Sequence, residues 1–123
     1  MSQLTSHSTT NPNETAIIVG VNSQEEDQFD FTSTMEELKA LSETCRLTVE
    51  AQFEQNREHF DHKYYVGKGK LAEIKAYVEA NDIDVVVTND ELTTAQSKAL
   101  NGNLNIKIID RTQLILSLIH ISE

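Results

Sequence analysis

One cysteine, one proline, no tryptophan and four glycines set the first limits on this chain. The lone thiol, Cys45, excludes an internal disulfide, and its place on the apolar stripe of an expected helix reads as a core thiol rather than a reactive one. The only proline, Pro12, lies in a Ser, Thr, Asn and Gln rich stretch without periodicity, so residues 1–13 are expected to form a disordered leader. No apolar run approaches the roughly 20 residues needed to span a bilayer. The amino terminus also lacks a basic region followed by an apolar one, so no membrane-spanning segment and a cytoplasmic location are expected. No Ser, His and Asp set, and no Cys and His pair, falls at a spacing that a helix or strand would bring together, so no autonomous catalytic site is expected. Nor does any stretch read G-x-x-x-x-G-K-[ST], the loop that wraps a nucleoside triphosphate and seats its magnesium.

What is abundant is negative charge. The formal net charge is −10, which disfavours loose attachment to nucleic acid, because affinity for phosphate backbones comes mainly from Lys and Arg. The charge is uneven. Residues 14–62 carry twelve acids against three bases, whereas residues 63–123 carry eight against seven. Arg57, Lys63, Lys68 and Lys70 outnumber Glu58 and Asp61 between residues 57 and 70, with His59 and His62 beside them. A cationic patch of this kind on an acidic body can read a phosphate surface while the body repels wrong partners.

Along the chain, strands and helices alternate. Ala16-Ile17-Ile18-Val19-Gly20-Val21 is a continuous apolar run of the kind found in strands covered on both faces. After a polar, acidic loop over 22–30, Ser33-Thr34-Met35-Glu36 has the form of a capping box and is expected to start a helix with Met35, Leu38, Leu41 and Cys45 on its buried stripe. Arg46 to Phe53 alternates polar and apolar residues, as in a strand near a sheet edge with one face partly wet. Leu71, Ile74, Tyr77 and Val78 mark a second amphipathic helix, Val85-Val86-Val87-Thr88 a buried strand, and Thr93 with Gln96 the N-cap and N3 of a third helix, whose apolar side is Leu92, Ala99, Leu100 and Leu104. Ile106 to Ile109 is a last strand, and Asp110 is placed to cap a helix through Leu114, Ile115 and Leu118. This order predicts an α/β fold, an open three-layer sandwich with a mostly parallel sheet and helices on both faces.

Three short motifs fall where such sheets gather ligands, beyond the carboxyl ends of the strands. The first, Gly67-Lys68-Gly69-Lys70, enters a helix; it is either a structural turn or a phosphate or RNA contact, with Tyr64 and Tyr65 beside it as base-stacking rings or as core. The second is Asn89-Asp90-Glu91, two carboxylates and an amide that serve a loop and helix start better than a metal. The third is Asp110-Arg111, an ion pair or cap at a strand-to-helix turn, or an arginine offered to a partner. His59 and His62, with Asp61 between them, read as surface histidines rather than zinc ligands, so no metal site is expected.

Taken together, Tyr64 to Lys70, Asn89-Asp90-Glu91-Leu92 and Asp110 to Leu116 resemble the amino-terminal domain of HflX-type GTPases, over roughly residues 15–116. The resemblance implies a domain spanning 14–116, with Gly67, Lys68, Gly69, Lys70, Asn89, Asp90, Glu91, Asp110 and Arg111 at family motif positions. It further implies a partner in the rRNA of the large ribosomal subunit, an ATP-binding role ascribed to this region, and a GTP-binding domain with magnesium elsewhere in the full protein. The pattern departs at Thr94, where proline is usual and N1 of a helix accepts either. It departs again at residues 117–123, a divergent tail expected from truncation. Under this resemblance the chain itself is expected to bind rRNA through Gly67 to Lys70, Lys63, Arg57 and Tyr65, with no cofactor of its own and without GTP hydrolysis. The rival expectation is a standalone α/β module that holds a nucleotide or another small phosphate ligand.

Overall fold

A computed structural model describes residues 13–23 and 28–121. Their elements alternate as the sequence predicts: β1 (Thr15–Asn22), α1 (Gln28–Thr44), β2 (Thr48–Asn56), α2 (Lys68–Asn81), β3 (Val85–Thr88), α3 (Thr94–Leu104), β4 (Lys107–Asp110) and α4 (Arg111–Ile121). The four strands form one sheet, wholly parallel, in the order β2-β1-β3-β4.

Alternation along each strand sorts the core into two layers. Ile17, Val19 and Val21 of β1, Val86 of β3 and Ile108 of β4 meet α2 and α3 through Leu71, Ile74, Val78, Leu100 and Leu104. Ala16, Ile18, Val85, Val87 and Ile109 meet the opposite layer, where Phe31, Met35 and Leu38 of α1 pack with Leu114 of α4. The architecture is therefore the expected three-layer α/β sandwich. Gly20 stands where α1 crosses β1 most closely, since a Cβ there would lie 2.4 Å from the Met35 sulfur.

Two expectations need correction. The edge position of β2 holds, but its single wet face does not, because the ladder with β1 slips between Ala16 and Ile17 and leaves Glu50 unpaired. That extra residue turns the strand over, so Leu47 and Val49 pack on the α1 side while Ala51 and Phe53 pack on the α2 side. The second correction concerns α1, which is already helical at Gln28, not at Ser33. The apparent capping box is mid-helix; Thr34 donates its hydroxyl back to the Asp30 carbonyl, at 2.9 Å, as such residues do inside helices. Starting earlier, the helix adds Phe31 to its buried stripe.

α1 ends at Arg46, which adopts the left-handed conformation (φ 68°), with Leu47 N–H donating to the Ser42 carbonyl at 3.1 Å. The expected leader lies outside the described residues except Asn13, whose N–H donates to the Arg46 carbonyl at 2.9 Å. Residues 117–121 of the expected tail continue α4, with Ser117 buried. No helix among the described residues is long and apolar enough to cross a membrane.

Candidate nucleic-acid interface

In the order β2-β1-β3-β4 the chain reverses direction across the sheet between β1 and β3, and at such a switch point the flanking loops part to leave a crevice. Here a tyrosine fills the crevice. The Tyr65 hydroxyl accepts the Val21 N–H at 3.2 Å, from the end of β1, and donates to Asp90 Oδ2 at 2.5 Å, just after β3. Tyr65 is 1% exposed, so its ring belongs to the core and is not a base-stacking surface, contrary to one expectation; Tyr64 is the partly exposed member of the pair. Burial, with the Asp90 carboxylate beside it, pushes the Tyr65 hydroxyl well above its ordinary pKa. Burial also raises the Asp90 carboxyl, against the pull of the Tyr65 hydrogen bond and the nearby Arg111 charge.

Reaching the crevice bends the chain. Tyr65 has φ 70°, and Val66 N–H donates to the Tyr64 carbonyl at 2.6 Å, the mark of a strained γ-turn. Asp61 organises the rest of the loop over 57–67. Its carboxylate accepts the N–H groups of Lys63 (2.9 Å) and Tyr64 (2.6 Å), and its backbone exchanges hydrogen bonds with Tyr65, each 3.1 Å. The Tyr64 amide is the main reason that the Asp61 carboxyl sits below its usual range. From α3, Gln96 donates to the Asp61 carbonyl at 2.8 Å and still completes a reciprocal capping box with Thr93.

The glycine motif is a helix start. Gly67 is the N-cap of α2, extended at φ −70° and ψ 164°, and no side chain caps the first turn. Its N–H is already donated to Gln55 Oε1, at 2.9 Å. A Cβ there would lie 2.3 Å from an Arg57 guanidinium nitrogen, the far end of a flexible side chain that can give way, whereas at Gly69 it would meet nothing. Lys68 is exposed, and Lys70 pairs with Glu73 at 3.2 Å. Lys63 lies over the Tyr64 ring, 5.1 Å from its centre.

The two later motifs join this loop at the carboxyl edge of the sheet, but through structural bonds. Asp110 does not pair with Arg111. It caps α4 by accepting the Gln113 N–H at 2.9 Å, while Gln113 Oε1 accepts the Asp110 N–H at 3.1 Å. The other Asp110 oxygen accepts the Leu92 N–H at 3.0 Å and so fixes the loop after β3. Arg111 donates to Asn89 Oδ1 at 2.9 Å and pairs with Glu37, so it braces this edge of the sheet. Asp90 is spent on Tyr65 instead of offsetting the α3 dipole, and Glu91 alone of its motif faces solvent.

Above the plugged crevice lies an open cleft of about 500 Å³, lined by Ser23, Glu58, His59, Phe60, His62, Glu91, Thr93 and Gln96. The sequence reading missed Phe60 and Asp61 as site residues. A lone phenylalanine in a polar loop, flanked by two histidines, was the available signal for the first. No cluster of three His, Cys, Asp or Glu side chains suited to a metal ion occurs among the described residues.

Residues 32–119 match the family described as GTP-binding GTPase N-terminal. The chain is similar to the GTPase HflX of Caldanaerobacter subterraneus, 42% identical over 105 residues that make up 85% of this chain and 24% of that protein. It is also similar to the GTPase HflX of Alkalihalophilus pseudofirmus, 38% identical over 85% of this chain and 25% of the relative, and to that of Escherichia coli, 41% identical over 46% and 13%. The chain thus spans about a quarter of the length of the first two relatives. It belongs to the HflX family of GTPases, and what it matches there is the amino-terminal domain.

Proposed function

We propose that this chain is the rRNA-binding module of an HflX-type GTPase, docking on the large ribosomal subunit in the cytoplasm through the loop over 57–70. The observation that carries the reading is that Lys63, on the pinned loop, and Lys68, at the first position of α2 just after it, are exposed, and neither pairs with a carboxylate among the described residues. Arg57 and Lys70 stand beside them, the first held over Gly67 and the second shared with Glu73. Exposed ammonium groups without a carboxylate partner, on and beside a hydrogen-bonded loop, suit a phosphate backbone, and the acidic body keeps such attachment local.

GTP and magnesium belong, on this reading, to the part of the relatives that this chain does not span. The residues present do not fit them. The glycine turn is extended where a phosphate-wrapping loop would curl, no described glycine has positive φ, and the Gly67 amide is already committed to Gln55. The same occupied amide argues against the rival reading of a small phosphate ligand held by this turn.

The test is a salt titration of binding to large ribosomal subunits. Lys63→Ala with Lys68→Ala should weaken binding at low salt and reduce the slope of log K against log salt by about 1 to 2. An unchanged affinity and slope would remove this loop from the interface.

A further inference from the structure

The cleft over the switch point has a lining that the loop's lysines do not explain. Phe60 is 37% exposed and its ring is backed by the buried Tyr65 ring, with centroids 5.3 Å apart, so an apolar face is held firmly at the cleft. Glu91, in the loop before α3, lines the same cleft; Glu58 lies two residues before Phe60, and neither carboxylate has a partner among the described residues. Gln96 and the Thr93 hydroxyl oxygen are already committed to the capping box. Besides Ser23, the groups left to meet a ligand are therefore an aromatic face, two carboxylates and the exposed imidazoles of His59 and His62. A volume of about 500 Å³ suits one small planar group and falls inside the roughly 300–1,000 Å³ of small-ligand clefts.

Carboxylates repel phosphates, so the cleft is not a second phosphate site. They accept hydrogen bonds from the exocyclic amine of cytosine, as carboxylate side chains do elsewhere, and uracil has no such amine. Aromatic faces take any base by stacking, with a contribution per base large enough to decide affinity. Lys63 on this loop and Lys68 at the start of α2 are exposed and available to carry the backbone beside the cleft. We propose that this cleft receives one unpaired, amine-bearing nucleobase of an RNA strand, stacked on Phe60 and read by Glu91, while the lysines hold its flanking phosphates. This rests on the RNA-binding reading of the loop and adds base selectivity to it.

The test uses the full 123-residue chain and three fluorescent ten-nucleotide probes: oligo(C), oligo(U) and an abasic ribose-phosphate strand. Oligo(C) should bind more tightly than the other two. Phe60→Ala should lower oligo(C) affinity about 10- to 100-fold, to the abasic level, with the salt slope unchanged and the urea midpoint kept near wild type. Phe60→Tyr should restore binding, and Glu91→Gln should erase the preference for oligo(C) over oligo(U). If Phe60→Ala leaves oligo(C) affinity intact while Lys63→Ala with Lys68→Ala lowers it, the cleft proposal falls and the loop reading stands. If neither change matters, both fall. Binding of free cytidine monophosphate as tight as that of oligo(C) would overturn the strand assignment and make the cleft a mononucleotide site.

Discussion

Tyr65→Phe removes one oxygen and leaves the ring in place, so it isolates the bonds that plug the crevice. Two partners are stranded. The Val21 N–H, in a buried strand, loses its acceptor at 3.2 Å. Asp90, partly buried and with its carboxyl already raised by burial, loses the donor at 2.5 Å. A hydrogen bond to a charged group contributes about 1.5–3 kcal/mol, and a stranded buried amide costs about 1–3 kcal/mol; since backbone relaxation recovers part of both, about 2–4 kcal/mol is expected. Urea unfolding at neutral pH measures it, the midpoint falling with the slope unchanged. The pH dependence sharpens the test. Losing the Tyr65 donor raises the Asp90 carboxyl further, and a carboxyl raised in the folded state contributes stability that is present below the unfolded pKa and lost as pH rises through the folded one. The penalty of Tyr65→Phe should therefore be largest at neutral pH and shrink toward about pH 4, near the ordinary aspartate value. A loss under about 0.5 kcal/mol, or one that does not change with pH, would refute the picture of a Tyr65 hydroxyl stabilising a partly buried carboxylate.

Other consequences are equally direct. Gly20→Ala drives a Cβ against the buried Met35 sulfur and should cost about 1–3 kcal/mol, whereas Gly67→Ala meets the flexible ends of Arg57 and Gln55 and should cost under about 1 kcal/mol; thermal unfolding separates the two. Arg46→Gly should stabilise the chain by about 1 kcal/mol in the same assay, since a glycine relieves the left-handed strain at the end of α1. Asp61, with its carboxyl lowered by the Tyr64 amide, contributes stability that is present above its unfolded pKa and lost as pH falls through the folded one. Asp61→Asn should thus destabilise at neutral pH and flatten the acid limb of the stability curve, which urea midpoints from pH 3 to 7 would show.

Local chemistry was legible in the sequence wherever the partners lie close along the chain. The β-branched runs of β1 and β3 sit where the pattern put them, and Thr93 with Gln96 forms the expected box three residues apart. The false helix start at Ser33 has a local cause, because Ser and Thr bond backward inside a helix as readily as they cap one, and Phe31 was hidden behind an acidic stretch. The Glu50 bulge leaves hydrophobic alternation intact while turning the strand over, so no pattern in one strand reveals it. At the site, what escaped was long-range pairing. Tyr65 meets Asp90 across 25 residues, and Arg111 meets Glu37 across 74. Both pairs give motif residues structural work, but with partners other than the helix starts and neighbours that the sequence suggested. The motifs do converge on one edge of the sheet, but most of their polar groups hold the loops together, and Lys63, Lys68, Phe60 and Glu91 are left facing outward.

The most direct test of ribosome docking is co-sedimentation of the purified chain with isolated large and small ribosomal subunits over a range of salt. The account predicts saturable binding to the large subunit that weakens steadily as salt rises, with no comparable binding to the small one. Equal recovery with both subunits, or none with either at low salt, would contradict it.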